Sequence, residues 1–216
     1  MAKFDLDSLD LAALLCSRVC HDVISPVGAI VNGLEVMEDE SDASMKEFAL
    51  DLIRKSARQA SARLQFARLA FGAAGSAGAS IDLGDAQSVA TGFFQDDKTK
   101  LVWNAPRQLL PKNRVKLLLN LLVLASQGIP RGGEITATVE GDEQASTFEI
   151  VARGINARIP PHAAALLGGE PEGGNVDAHG IQFFYAGLVA RAAAMTVDLA
   201  IDGDAFTIRA QPATAD

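Results

Sequence analysis

Long apolar runs, a basic surplus and a signal peptide are all missing from this sequence, and each absence excludes a class of protein. No stretch of 18 apolar residues is present, which argues against a membrane-spanning helix. Lysine and arginine number 19 against 27 aspartate and glutamate, and the net charge of −8 argues against nucleic-acid binding. The N-terminus lacks the pattern of a signal peptide. These absences predict a soluble, cytoplasmic protein that binds neither membranes nor nucleic acids.

Cysteine is also scarce, and its two positions do not form a metal-binding pattern. Cys16 and Cys20 are four residues apart in a segment with helical periodicity, and His21 follows directly. Metal ligands must converge on one point, whereas consecutive residues of a helix point roughly 100° apart. Because both cysteines also fall on the apolar line described next, we expect them to pack in a core. We expect no metal site in the chain.

Two long segments with helical periodicity occupy the first third of the sequence. Apolar residues of the first segment alternate at spacings of three and four, as in a packed helix pair or bundle, at Leu9, Ala13, Cys16, Cys20, Val23, Val27, Ile30, Leu34 and Met37. Pro26 lies inside this helix and predicts a bend. A polar connection, with Ser41 or Asp42 as N-cap, leads to a second helix over 43–71. One hairpin cannot cover both apolar lines, so we expect a homodimer that forms a four-helix bundle.

A run of small residues over 72–80 predicts a flexible linker, with domains at 1–74 and 80–216. The second domain shows mixed patterns. Helices are predicted over 84–94, 112–127 and 181–194, with a short helix after Pro161, and strands over 100–104, 134–140, 147–152, 196–201 and 205–210. We therefore predict an α+β chain, in which an antiparallel helical hairpin precedes an α/β sandwich.

Histidine is scarce as well, and one of the three histidines stands in a distinctive setting. His21 is followed directly by the acidic Asp22 and, five positions on, by Pro26. This spacing, on the first helix of a hairpin that precedes an α/β domain, resembles the two-part core of sensor histidine kinases. The resemblance implies that His21 accepts a phosphoryl group and that the second domain has the fold of the kinases' Bergerat-type ATPase domain.

The segments that bind nucleotide in that family are altered here. Leu124 stands where the family has the asparagine that holds magnesium, although Asn120 is retained. Three other residues stand where the family has an aspartate and two glycines, namely Gly154, Asn156 and Arg158. A loop containing Gln182 replaces a glycine loop that cradles phosphate. The glycine-rich stretch over 168–180 lacks an adjacent Lys-Ser/Thr and is expected to be a flexible loop or docking edge.

With the hairpin retained and the nucleotide segments lost, essentially the whole chain resembles the histidine phosphotransferases of alphaproteobacteria. The resemblance implies a homodimeric phosphorelay intermediate with no cofactor of its own, because magnesium is supplied at the partner's receiver domain. The phosphoryl group would pass from the receiver aspartate of a CckA-like hybrid histidine kinase to His21. It would then pass to the receiver domains of CtrA-like and CpdR-like response regulators in a cell-cycle circuit.

The residues around His21 suit this chemistry. Imidazole is a nucleophile that is largely neutral near pH 7. Asp22 is predicted to orient the ring, and Ile24, where the kinases have a basic or polar residue, argues further against autokinase activity. The helical neighbours of His21 are small or polar and leave room for a receiver domain. We expect the receiver to contact Ser17, Arg18, Ile24, Ser25, Gly28, Asn32 and Lys55.

Two other functions stay open on the sequence. The chain would be an active histidine kinase with an altered ATP pocket if ATP alone labelled His21. It would be a non-catalytic dimeric adaptor for receiver domains if phosphate flow did not need His21. The other two histidines are expected to serve neither function, with His162 at the start of a short helix and His179 in a solvated loop.

Overall fold

The structure, a computed structural model, describes residues 4–39, 42–72, 79–94, 98–143 and 145–213. Helix α1 (Ser8–Asp39) and helix α2 (Ala43–Ala70) form the predicted antiparallel hairpin. Asp42 caps α2, because its carboxylate accepts hydrogen bonds from the hydroxyl and the backbone amide of Ser44. These two bonds, the hydroxyl first, lower the pKa of Asp42. The alternative cap Ser41 and linker residues 73–78 lie outside the described residues.

Helix α1 has two apolar faces, and α2 covers only one of them. On the covered face, Pro26 and Gly33 are buried, and a Cβ at Gly33 would lie 2.7 Å from Cγ1 of Ile53, so the helices approach closely. The other face is exposed, and we call it the apolar stripe: Leu9, Ala13, Cys16, Cys20, Ile24, Val27, Val31 and Leu34. The prediction that both cysteines pack in a core is therefore wrong for the single chain, because α2 packs on a different side of α1.

The rest of the chain is a mixed α/β unit. Its elements are β1 (Ser80–Asp82), α3 (Leu83–Phe93), β2 (Thr99–Asn104), β3 (Leu109–Pro111), α4 (Lys112–Gly128), β4 (Gly133–Glu140), β5 (Thr147–Arg153), α5 (Ala163–Gly168), α6 (Ile181–Ala192), β6 (Met195–Asp202) and β7 (Ala205–Pro212). Five strands form a sheet in the order β2-β4-β5-β7-β6, with only the β2–β4 pair parallel. Helix α4 is buried along most of its length between this sheet and α6. The α+β class and the sandwich are thus confirmed.

Aromatic rings join the hairpin to the α/β unit. The Phe66 ring of α2 lies with its centroid 4.1 Å from that of Phe93 and 6.4 Å from that of Phe94. Ahead of α1, Phe4 packs edge-on against Phe184 of α6 at 5.9 Å. Burial of such rings stabilises the joint by about 1.5–3 kcal/mol for each side chain. The division into domains at 1–74 and 80–216 stays a prediction.

The observed elements depart from the predicted ones in small ways. Predicted helices and strands of the α/β unit end within one or two residues of the observed ends. The antiparallel pair β1–β3 was not predicted, because three residues are too few for strand alternation to show. By length and composition alone, the segment Ser8–Glu38 is apolar enough to cross a membrane. One face of that helix nevertheless packs on α2, whose sequence is rich in charged residues.

Candidate functional site

His21 is exposed near the middle of α1, as predicted. The helical positions above and below it are occupied by small or polar side chains, and we call these residues together the polar strip: Ser17, His21, Ser25, Gly28 and Asn32. Ser25 and Asn32 are exposed and Ser17 is half-buried. A Cβ placed on Gly28 would meet no atom within 4 Å, so the surface one to two turns along from His21 is open. A folded domain can therefore approach the imidazole without steric obstruction from α1.

The polar strip lies between the two apolar faces of α1. At 100° for each residue, His21 lies about 100° from the centre of the apolar stripe and about 130° from the buried Pro26 and Gly33 on the face that α2 covers. Ile24, which is 68% exposed, belongs to the apolar stripe rather than to the polar strip. A protein that covers the apolar stripe therefore leaves His21 accessible at the edge of the covered surface.

Asp22, the acidic residue after His21, lies beside Arg18. Its carboxylate oxygen is 3.4 Å from Nε of Arg18, and both side chains are about three-quarters buried. The buried Nε makes no hydrogen bond in the described part of the chain, so the two groups form an ion pair with poor hydrogen-bond geometry. Arg18 is thus engaged with Asp22 on the hairpin side of α1, whereas Lys55 is exposed on α2.

A residue that the sequence reasoning missed contacts this same turn. Nη1 of Arg63, from α2, donates a hydrogen bond to the backbone carbonyl of Asp22. In an α-helix that carbonyl would accept from the amide of residue 26, which is Pro26 and has no N–H. The sequence shows that the Asp22 carbonyl lacks a helical donor, because Pro26 follows it by four residues. It does not show that Arg63 supplies the donor, because Arg63 lies 41 positions away.

The retained Asn120 is a structural residue of α4. It is fully buried, and its side-chain amide donates to the carbonyls of Ala70 at 3.2 Å and Lys116 at 2.7 Å. Its Oδ1 accepts a hydrogen bond of 2.6 Å from Nε2 of Gln182. Leu124, one turn further on, is fully buried and offers no ligand atom. The expectation of a loop containing Gln182 is wrong, since Gln182 is buried in the first turn of α6.

The loop that follows β5 has no space for the aspartate of the kinase motif. A Cβ at Gly154 would lie 2.4 Å from the carbonyl oxygen of Gly132 and 3.2 Å from Ile129. Backbone bonds hold the loop in this place, with the amide of Arg158 donating to the carbonyl of Gly128 at 2.9 Å. Asn156 has a positive φ of 62°. The carboxylate that binds adenine in that family cannot be accommodated here without a backbone shift.

The other two histidines lie in the α/β unit, beside a cleft of about 540 Å³ between α5 and α6. Nδ1 of His162 lies 3.2 Å from the Glu172 carboxylate. His179 is exposed, and its backbone amide donates to the side chain of Asp177. Within the ranges that the structure describes, no group of three or more His, Cys, Asp or Glu side chains could hold a metal ion.

Comparisons with known proteins agree with this arrangement. A family model for the histidine phosphotransferase C-terminal domain matches residues 83–205. A protein phosphotransferase ChpT of Brucella abortus (strain 2308) is 51% identical over 194 residues, which cover 90% of this chain and 91% of that protein. A solved structure of a bacterial phosphotransferase aligns with a TM-score of 0.87 at 46% identity, covering 97% of this chain and all of the other. Both alignments are too long to lie in the α/β unit alone, so the similarity includes the helical hairpin.

Proposed function

Because the chain belongs to the histidine phosphotransferase family and is therefore a phosphorelay protein, we propose that His21 carries its phosphoryl group. The observation that supports this assignment is the open surface along the polar strip. Of the three histidines, only His21 lies on a long helix between small side chains. His162 is paired with a glutamate, and His179 lies in a loop of the α/β unit.

The transfer at His21 is a nucleophilic displacement at phosphorus. The lone pair of one ring nitrogen attacks the phosphoryl group of a receiver aspartyl phosphate. The new N–P bond forms while the P–O bond to the aspartate breaks, and the aspartate leaves as a carboxylate. The other ring nitrogen keeps its proton throughout. The reverse displacement, by the aspartate of a second receiver, returns the histidine to its starting state.

In this proposal Asp22 orients the imidazole and balances its charge. The two side chains leave the helix about 100° apart, so the carboxylate reaches the ring from the side. The Arg18 guanidinium lies 3.4 Å from the Asp22 carboxylate, which in this proposal accepts a hydrogen bond from the N–H of the ring. Arg18 therefore supports Asp22, and Lys55 stays as the basic residue proposed to approach the acidic receiver pocket.

The partners of this proposal are receiver domains, and no cofactor is bound by the chain itself. Magnesium belongs to the receiver active site. A CckA-like hybrid kinase is the proposed donor, and CtrA-like and CpdR-like regulators of the cell cycle are the proposed acceptors. The proposed receiver contact is the polar strip, whereas Ile24 lies in the apolar stripe, which is proposed below to pack against a second copy of the chain. The buried Leu124 and the crowded Gly154 support a chain that takes no phosphate from ATP.

The experiment that tests the proposal follows labelled phosphate on the purified protein. A phosphorylated donor receiver is expected to give acid-labile, base-stable label on this chain, and adding an acceptor receiver is expected to remove it. Incubation with labelled ATP and magnesium alone is expected to give none. Label from ATP alone would show a kinase, and receiver binding without any label on the chain would show an adaptor.

We also propose that the apolar stripe is covered by a second copy of the chain, giving a homodimeric four-helix bundle. The stripe runs along α1 for most of its length, from Leu9, which is 79% exposed, to Leu34, which is 50% exposed. Its spacing of three and four is that of helix-to-helix packing. Exposed Met45 and Phe48 of α2 extend the apolar surface at the closed end of the hairpin. A two-fold bundle on this surface leaves both polar strips accessible.

Val27→Glu is expected to convert the dimer into a monomer of 22.6 kDa. The two-fold axis places two carboxylates in one apolar interface, where desolvation and like charge raise the dissociation constant by at least about 100-fold. Light scattering after size exclusion measures the mass. Ile155→Glu is the control, because Ile155 is 68% exposed on a loop of the α/β unit. An unchanged mass for Val27→Glu would place the dimer contact elsewhere.

The proposed location is the cytoplasm, where the proposed donor and acceptor receiver domains are found. Although α1 has the length and hydropathy of a membrane span, it carries Arg18, His21 and Asp22 near its middle. Burying such groups in hydrocarbon is costly. The apolar character of α1 is therefore assigned to the contact between the two copies.

A further inference from the structure

The phosphoryl-carrying turn of α1 has a backbone defect beside it. Pro26 is buried inside the helix and has no N–H, so the carbonyl of Asp22 loses the amide donor that continues the helical ladder. A buried carbonyl that lacks a partner costs about 1–3 kcal/mol. This carbonyl is part of the Asp22–Val23 peptide bond. Its hydrogen bond therefore affects the orientation of the helical turn that carries His21.

Arg63 fills the defect from the neighbouring helix. Its guanidinium Nη1 donates to the Asp22 carbonyl, and its side chain is half-buried between the two helices. A guanidinium is always charged and presents its donors in a rigid plane. A charge-assisted hydrogen bond of this kind is about twice as strong as a neutral one. The bond therefore fixes the turn that contains His21 to α2, in place of the bond that Pro26 removes.

We propose that Arg63 is a positioning residue for phosphoryl transfer, which acts through the Asp22 carbonyl that Pro26 leaves free. This inference rests on the assignment of His21 as the phosphoryl carrier. In-line attack needs the ring nitrogen at the right distance and direction from phosphorus, and a misplacement of about 1 Å can lower a rate 100-fold. Arg63 fixes the backbone of the turn that carries His21, and the imidazole side chain stays free to reach the receiver.

The test is a double-mutant cycle between Arg63→Met and Pro26→Ala. The Pro26→Ala change restores an amide that can donate to the Asp22 carbonyl, so the guanidinium is needed only when proline is present. With Pro26, Arg63→Met is expected to lower the rate of transfer from a phosphorylated receiver about 10-fold or more, and Arg63→Lys to recover part of it. In the Pro26→Ala background, Arg63→Met is expected to change the rate less than about twofold. Arg68→Met, at an exposed arginine of the same helix, is the matched control.

A second readout does not depend on phosphoryl transfer. The ¹³C chemical shift of the Asp22 carbonyl, in protein labelled at the Asp22–Val23 peptide, reports its hydrogen bond directly. Arg63→Met is expected to move this shift with Pro26 present and to leave it almost unchanged in the Pro26→Ala background. An equal loss of rate in both backgrounds, or an unmoved carbonyl shift in the Pro26 background, would overturn the inference. If the wild-type protein took up no label while the shift responded as expected, the assignment of His21 would fail and the Arg63 bond would stand.

Discussion

His21→Ala is expected to abolish phosphoryl transfer, leaving no acid-labile phosphate on the chain after incubation with a phosphorylated receiver. The imidazole is exposed on α1, and a methyl group in its place offers no lone pair for attack on phosphorus. Fold and stability are expected to stay unchanged, because substitutions at exposed positions usually alter the free energy of unfolding by no more than about 0.5 kcal/mol. Label on the chain and circular dichroism are the two measurements.

The chain provides its own controls for this experiment, since only two other histidines exist in 216 residues. His162→Ala and His179→Ala are expected to accept and pass on phosphate at the wild-type rate. Both side chains lie beside the cleft between α5 and α6, away from the polar strip. Label that persisted in His21→Ala and disappeared in His162→Ala or His179→Ala would move the carrier to the α/β unit. Phosphate flow that persisted in all three variants would favour the adaptor.

Gln182→Leu is expected to lower the free energy of unfolding by about 1–3 kcal/mol. The substitution removes the donor that satisfies Oδ1 of Asn120 and leaves that oxygen unpaired in a fully buried site. The same asparagine also donates to the carbonyl of Ala70 at the end of α2, so the loss loosens the joint between hairpin and α/β unit. Urea unfolding followed by circular dichroism gives the free energy, and a slope that stays constant shows that compactness has not changed.

Two further variants show whether the loss comes from the unpaired oxygen. Gln65→Leu replaces an exposed glutamine of α2 and is expected to change the free energy by no more than about 0.5 kcal/mol. The double change Asn120→Leu with Gln182→Leu is expected to cost less than the sum of the single changes, since neither side chain then leaves the other unpaired. Strictly additive losses would show that the two side chains act independently. An unchanged free energy of unfolding for Gln182→Leu would contradict the structural role assigned to the Asn120–Gln182 hydrogen bond.

The sequence was sufficient for the order of elements because their periodic patterns are long. The hairpin, helix α4 and the strand pair β4–β5 all show enough repeats for the apolar spacing to separate helix from strand. His21 stands out as the candidate phosphoryl carrier because histidine is rare here and because its neighbours Ser25 and Gly28 are small. These are local properties, and they carry over directly to the structure.

What the sequence did not show depends on which surfaces meet. The apolar pattern of α1 did not show which of its residues face α2, which packs around Pro26 and Gly33 and approaches closely at the glycine. The Arg63 bond joins residues 41 positions apart, and the Asn120–Gln182 bond joins residues 62 positions apart. Periodicity gives the faces of a helix but not their partners. The role of a polar side chain in a helix interface can therefore be assigned only when the element that packs against it is known.

The close approach at Gly154 has a consequence for how this chain can change. Aspartate at this position would bring a Cβ within 2.4 Å of a backbone oxygen. The substitution that restores the adenine-binding carboxylate would therefore destabilise the fold. The same holds at Leu124, where asparagine would place an amide in a dry core. An ATP-dependent kinase could arise from this chain only by several simultaneous substitutions. Selection among single substitutions is expected to yield no variant that uses ATP. Under the proposed function, the chain therefore depends on partner receiver domains for the phosphate it carries.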